Sequence, residues 1–143
     1  MKLEEAEKYA KQITGVISSL CEKVLVVGSI RRRRPEVNDI DIVAIPDYSD
    51  YRIPDPFHNT IQTMRLKPDE TWAKNIPEVL MRGPLKLLGD EFGKELMRLN
   101  FRENKLSVDI YRARPETWES SLLFGLEARS TTSTFAQAQN AWV

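Results

Sequence analysis

Val24-Leu25-Val26-Val27-Gly28-Ser29-Ile30-Arg31-Arg32-Arg33-Arg34-Pro35-Glu36-Val37-Asn38-Asp39-Ile40-Asp41-Ile42-Val43 is the stretch that decides the fold. Val24 to Val27 make a short apolar strand that stops at a glycine. Gly28 lets the backbone approach a ligand closely, and Ser29 can open a short helix over 29–33 whose free N–H groups suit phosphate. Asp39 follows ten positions after Ser29, in a second β-branched strand over 39–45 that Pro46 closes. Side chains alternate across a strand, so Asp39 and Asp41 share one face while Ile40 and Ile42 share the other. The same phase returns in 105–113, where Leu106, Val108 and Ile110 face one way and Ser107, Asp109 and Tyr111 the other. Pairing of these strands would gather three carboxylates beside the Gly-Ser turn.

Aspartate is disfavoured inside strands and costly to bury unpaired, so Asp-Ile-Asp-Ile-Val needs a reason. The plain alternative is a strand end with solvated carboxylates. The preceding Gly-Ser turn and the in-phase Asp109 weigh against it. Like charges this close repel unless cations lie between them, and ligation by oxygen alone suits Mg²⁺ or Mn²⁺. Ser29 taken alone reads as a helix cap; its spacing from Asp39 favours phosphate contact.

The rest of the chain sets bounds. At 143 residues it is long enough for one domain, 1–143, with a single real core. Formal net charge is zero, so no global field attracts nucleic acid, and Arg31 to Arg34 are the obvious local source of attraction. One cysteine, Cys21, excludes an internal disulfide and fits a reducing, intracellular setting; its place at the end of an apolar helix face suggests a buried, inert thiol. The N-terminus lacks the apolar core of a signal peptide and no run reaches membrane-spanning length, so no membrane partner is expected. Leu3, Ala6, Ala10, Ile13, Ile17 and Leu20 repeat by threes and fours, an amphipathic helix. Residues 46–58, with Pro46, Pro54 and Pro56, read as a loop. Thr60 to Leu66 and Asp69 to Met81 read as short helices interrupted near Pro68 and Pro77. Lys94 to Phe101 reads as a strand because Met97, Leu99 and Phe101 alternate, with a hairpin turn bracketed by Gly89 and Gly93. Pro115 opens a helix through Trp118 and Leu122, and Ala128 to Trp142 form another. The fold class is α/β, a small mixed sheet backed by helices. His58 is the one histidine and reads as a surface residue; with no Cys/His cluster a structural zinc is not expected. Trp72, Trp118 and Trp142 read as core or interface residues.

Gly28-Ser29, Asp39-Ile40-Asp41 and Val108-Asp109-Ile110, in this order and spacing, resemble the nucleotidyltransferases of the DNA polymerase beta (family X) superfamily. The arginines after Ser29 look like the family's Gly-Ser-x-Arg-Arg, and Pro115-Glu116-x-Trp118 with Leu122-Leu123-Phe124 also looks like family X. The likeness spans roughly residues 3–46 and 84–125, whereas 47–83 match nothing in it. It implies a palm-type fold and metal-dependent nucleotidyl transfer from a nucleoside triphosphate. Asp39 and Asp41 would hold one ion on the triphosphate, and all three aspartates a second beside the attacking hydroxyl. By resemblance Asp109 is the candidate general base, and Gly28, Ser29 and Arg32 contact the nucleotide.

The chain departs from the family in two places. After the third aspartate the family carries Tyr-Phe-x-Gly-Ser, where this chain reads Phe124-Gly125-Leu126-Glu127-Ala128; the residue before Asp39 is Asn38 where glycine is commoner. Poor discrimination between ribose and deoxyribose is therefore expected. The first expectation is a minimal family X-like DNA polymerase acting on a DNA 3′-hydroxyl. The second is a template-independent transferase to protein, RNA or a small molecule, and the third a nucleotide-binding module without catalysis.

Overall fold

A computed structural model describes residues 1–104 and 106–118. The expected helix opened by Pro115 starts as a 3₁₀ turn at Pro115–Thr117, while its continuation to Leu122, the helix over 128–142 and the departures around Phe124 and Gly125 lie outside the described residues.

Helix α1, Leu3–Ile17, buries Ala6, Ala10, Ile13 and Ile17, the apolar stripe of its sequence. The two alanines let its backbone lie close to the sheet. A 3₁₀ turn, Ser18–Leu20, ends it and leads into β1, Cys21–Val27. One helical turn, α2, Gly28–Arg31, follows, and then β2, Asp39–Pro46. Strand β3, Ser49–Asp55, and β4, Thr60–Leu66, come next. Helix α3, Pro68–Glu70, runs through a π-helical segment, Thr71–Asn75, into α4, Ile76–Arg82. The chain then forms β5, Leu88–Phe92, β6, Leu96–Asn100, and β7, Ser107–Arg112, and a 3₁₀ turn at Pro115–Thr117.

Five strands form one mixed sheet in the order β1-β2-β7-β6-β5. β2 pairs antiparallel with β1 and parallel with β7, so it lies inside the sheet, and everything in it from Ile40 to Pro46 is buried. The period of two sorts these residues between two clusters. Ile40, Ile42 and Ala44 join Val108, Ile110, Met97 and Leu99 under α1 and α4, while Val43, Ile45, Val27, Tyr111 and Ala113 cluster on the other face with Trp118 against them. Ile40 and Ile42 are fully inaccessible, so truncating either to alanine should cost about 2–5 kcal/mol. The expected α/β class and the strand reading of Lys94 to Phe101 are both observed. Gly93 follows β5 at the β5–β6 turn, but Gly89 sits inside β5. Cys21 opens β1, not the end of a helix face, and burial followed by the charge of Asp47 pushes its thiol up to about 12, which leaves it inert.

Residues 47–66 correct the sequence reading. The loop over 46–58 and the helix over 60–66 are instead the two strands of an antiparallel hairpin, β3–β4, separate from the main sheet. Pro54 pairs with Ile61 there, tolerated because both strands of a two-stranded ribbon are edges and a missing N–H breaks little. Thr60, Ile61 and Thr63 are β-branched and favour the strand. Asp55 Oδ1 accepts the N–H groups of Phe57 and His58 to close the turn, and Asn59 takes a left-handed conformation at φ 52°. His58 is exposed and pairs with Asp55 at 2.7 Å, as a surface histidine should. The hairpin is rooted by a buried polar cluster: Ser49 Oγ lies 2.6 Å from Thr71 Oγ1, and Asn75 Nδ2 donates to Ser49 Oγ at 3.0 Å and to the Asp50 carbonyl at 3.2 Å.

Candidate active site

Asp41 and Asp109 are register partners across the parallel β2–β7 pair, so their side chains leave the same face of the sheet from strands ~4.8 Å apart. Asp39 lies two residues earlier on that face, about 6.6 Å along the strand, opposite Ser107. The three carboxylates foreseen from strand phase therefore share one face. Gly28 joins them from the end of β1. Its φ is +71°, and a Cβ there would lie 2.4 Å from Asp41 Oδ2. Any other residue would meet both a strained backbone and the carboxylate, so glycine is what lets the turn close over Asp41.

The electrostatics are those of crowded like charges. Asp41 is 7% exposed and Asp109 3%. Burial, then the charges of Asp109 and Asp39, push the Asp41 carboxyl up to about 8 against an opposing pull from Arg98. Asp39 is raised as well, by burial first and Asp109 next. At neutral pH Asp41 therefore retains much of its proton until a cation compensates its charge.

Sequence reasoning missed one member of this site. Arg98, opposite Asp109 on β6, donates Nε–H to Asp109 Oδ1 at 2.8 Å and lies 3.8 Å from Glu91, its partner on β5. Its signal was present in Met97 and Leu99, whose apolar alternation turns Arg98 toward the other face. Finding it needed the pairing register, which strand phase alone does not carry. Arg98 supplies the counter-charge that lets Asp109 stay buried.

The turn residues separate into distinct roles. Ser29 is not a cap: α2 begins at Gly28 with Val27 in the N-cap position, and the Ser29 carbonyl accepts the Arg34 N–H at 3.0 Å. Arg32 closes α2 as its C-cap and is half-buried, whereas Arg31, Arg33 and Arg34 are exposed. Arg33 takes φ 56° and pairs with Glu7 at 3.1 Å, tying the turn to α1. Burial thus distinguishes Arg32 from its three neighbours.

Three carboxylates on one face offer the oxygen donors that Mg²⁺ or Mn²⁺ takes. Among the described residues no three His, Cys, Asp or Glu side chains already stand as a formed metal-holding group; Asp109 is drawn toward Arg98. Also among the described residues, no helix is long and apolar enough to cross a membrane. No family model and no curated protein matches the chain.

Proposed function

We propose that this protein is a metal-dependent nucleotidyltransferase of the DNA polymerase beta-like kind, a minimal palm that transfers a nucleotide from a nucleoside triphosphate to a DNA 3′-hydroxyl. The observation that carries it is the register of Asp41 with Asp109, with Asp39 on the same face and Gly28 packed against Asp41. Asp39, Asp41 and Asp109 would hold two Mg²⁺ or Mn²⁺ ions, which when bound supply charge stabilisation for the triphosphate and lower the pKa of the attacking hydroxyl. Asp41, whose carboxyl burial and its acidic neighbours push up to about 8, would have to give up its proton to hold an ion there. Arg98 holds Asp109 in place from β6. Gly28 leaves the backbone open beside the carboxylates, and half-buried Arg32, which caps α2, would contact the triphosphate.

A non-DNA acceptor is the second reading. Its support is the β3–β4 hairpin, an arm with Phe57 90% exposed at its tip that the resemblance does not cover. Both readings need label transfer from an α-labelled nucleoside triphosphate with Mg²⁺ or Mn²⁺. Wild type should extend a DNA primer. Asp109→Ala should lose about a thousandfold in turnover or more while staying folded, as expected when several kcal/mol of charge stabilisation are removed. Transfer without primer extension would move the assignment to the non-DNA acceptor, and no transfer to any acceptor would end it.

A further inference from the structure

The β6–β7 turn and helix α1 border a second concave site, on the helix face of the sheet and away from the carboxylates. Phe101 leaves β6 into the helix-side core, and Tyr9 of α1 packs against that same core. Their ring centroids lie 4.7 Å apart with the planes tilted by 52°, so the pair makes an angled apolar corner and not a flat stack. Beside it lies a cavity of about 310 Å³, at the small end of the range for small-molecule sites. Tyr9 is half-buried, which leaves part of its ring to a guest.

The rim is polar, and its charges are not spent on one another. Lys86, Arg102, Glu103 and Asn104 line the cavity, and Glu103 is the one acid among the lining residues. All four are exposed, so the cavity is reached from solvent without rearrangement. Among the described residues neither Lys86 nor Arg102 makes an ion pair, with Glu103 or with any other carboxylate. Asn104 uses its side-chain oxygen to accept the Leu106 N–H at 2.9 Å, so its amide N–H groups are the part left for a ligand. Lys86 stands at φ 48°, a left-handed conformation that strains a lysine and suits a glycine. Its N–H closes a turn onto the Gly83 carbonyl at 3.2 Å, which a glycine would do as well. What the position gains from lysine is therefore the side chain.

Two cations against one anion leave an excess of a single positive charge. A monoanion matches it. A phosphate monoester, at about −1.5 to −2 near pH 7, would meet Glu103 with charge to spare. A carboxylate can lie against a guanidinium through two parallel bonds, which Arg102 can offer, while Lys86 and Asn104 add further donors.

We propose that this cavity binds a small aromatic carboxylate, with its ring in the Tyr9–Phe101 corner and its carboxylate between Lys86 and Arg102. The site lies on the opposite face of the sheet from Asp39, Asp41 and Asp109 and does not depend on nucleotidyl transfer.

The test is titration of the full chain with phenylacetate, followed by NMR of the Tyr9 ring, assigned with Tyr9→Phe. Cyclohexylacetate and phenyl phosphate serve as comparisons. Phenylacetate should move the Tyr9 signals at millimolar concentration in wild type and equally in Asp109→Ala, which separates this cavity from the carboxylate face. Arg102→Gln should weaken it by about tenfold, the loss of one charge-assisted bond. Lys86→Gly should weaken it several-fold without lowering the melting temperature, because glycine takes that backbone freely. Wild type should bind phenylacetate more tightly than phenyl phosphate, and Glu103→Gln should narrow or reverse that order. Tyr9 signals that ignore tens of millimolar phenylacetate would overturn the proposal, as would binding unchanged in both Arg102→Gln and Lys86→Gly. Cyclohexylacetate binding as tightly as phenylacetate would overturn the recognition of a flat ring.

Discussion

Asp41 and Arg112 sit on adjacent parallel strands, each less than a tenth exposed, yet their charges are handled in opposite ways. Arg112 faces the helix side and meets an aspartate of opposite sign. Asp41 faces the other side and meets two carboxylates of its own sign, with the arginine that opposes them, Arg98, bonded to Asp109. A paired buried charge contributes to a fixed structure, whereas a crowded set of like charges works against folding until something positive arrives. The carboxylate face is thus the part of the molecule least explained by stability. That is the physical ground for assigning it function.

The comparison is sharpened most by neutralising Asp41. Its folded-state carboxyl lies at about 8, above the ordinary 3.8, so the folded protein binds the extra proton between those values and loses stability as pH rises through them. Asp41→Asn should therefore be more stable than wild type by a few kcal/mol at pH 8 and indistinguishable near pH 4, measured by urea unfolding. A variant no better at pH 8 than at pH 4 would show that Asp41 is not crowded.

A smaller effect is expected at Arg98. Arg98→Gln removes the charged bond to Asp109, and because the arginine is partly exposed the cost should be about 1–2 kcal/mol. Arg98 also lowers Asp39 and Asp41, so without it both rise further and the fall in stability should continue to higher pH than in wild type. An unchanged pH profile would separate Arg98 from the site.

The smallest effect lies outside both regions. Asn75→Ala leaves Ser49 and the Asp50 carbonyl short of a donor and should cost about 1 kcal/mol. Hydrogen exchange should quicken across 49–66 and leave β2 and β7 protected. Uniform quickening would mean that the hairpin and the sheet open together.

The contrast between β2 and the β3–β4 hairpin also marks how far sequence could be read. The Asp39-Ile40-Asp41-Ile42 alternation foretold both faces of β2, and the same phase in 106–110 foretold which way Asp109 points, because a strand has a period of two and here one face is apolar and the other carries carboxylates. The hairpin offers no such division of faces. Its strand Thr60–Leu66 is exposed from Thr60 to Arg65, so no apolar alternation identifies it, and Pro54 argued for a loop. Arg98 and Arg112 escaped for another reason. Their meaning lies in partners eleven and forty-three positions away in sequence, Asp109 and Asp69, which only strand order brings together.

Titration with Mn²⁺ by electron paramagnetic resonance from pH 6 to 8 tests the carboxylate face most directly. Binding must displace the proton on Asp41, so affinity should rise by up to about tenfold per pH unit and level off near 8, and both Asp41→Asn and Asp109→Ala should lose most of it. Mn²⁺ binding that is absent, or that is independent of pH and unchanged in both variants, would contradict a metal role for these three aspartates.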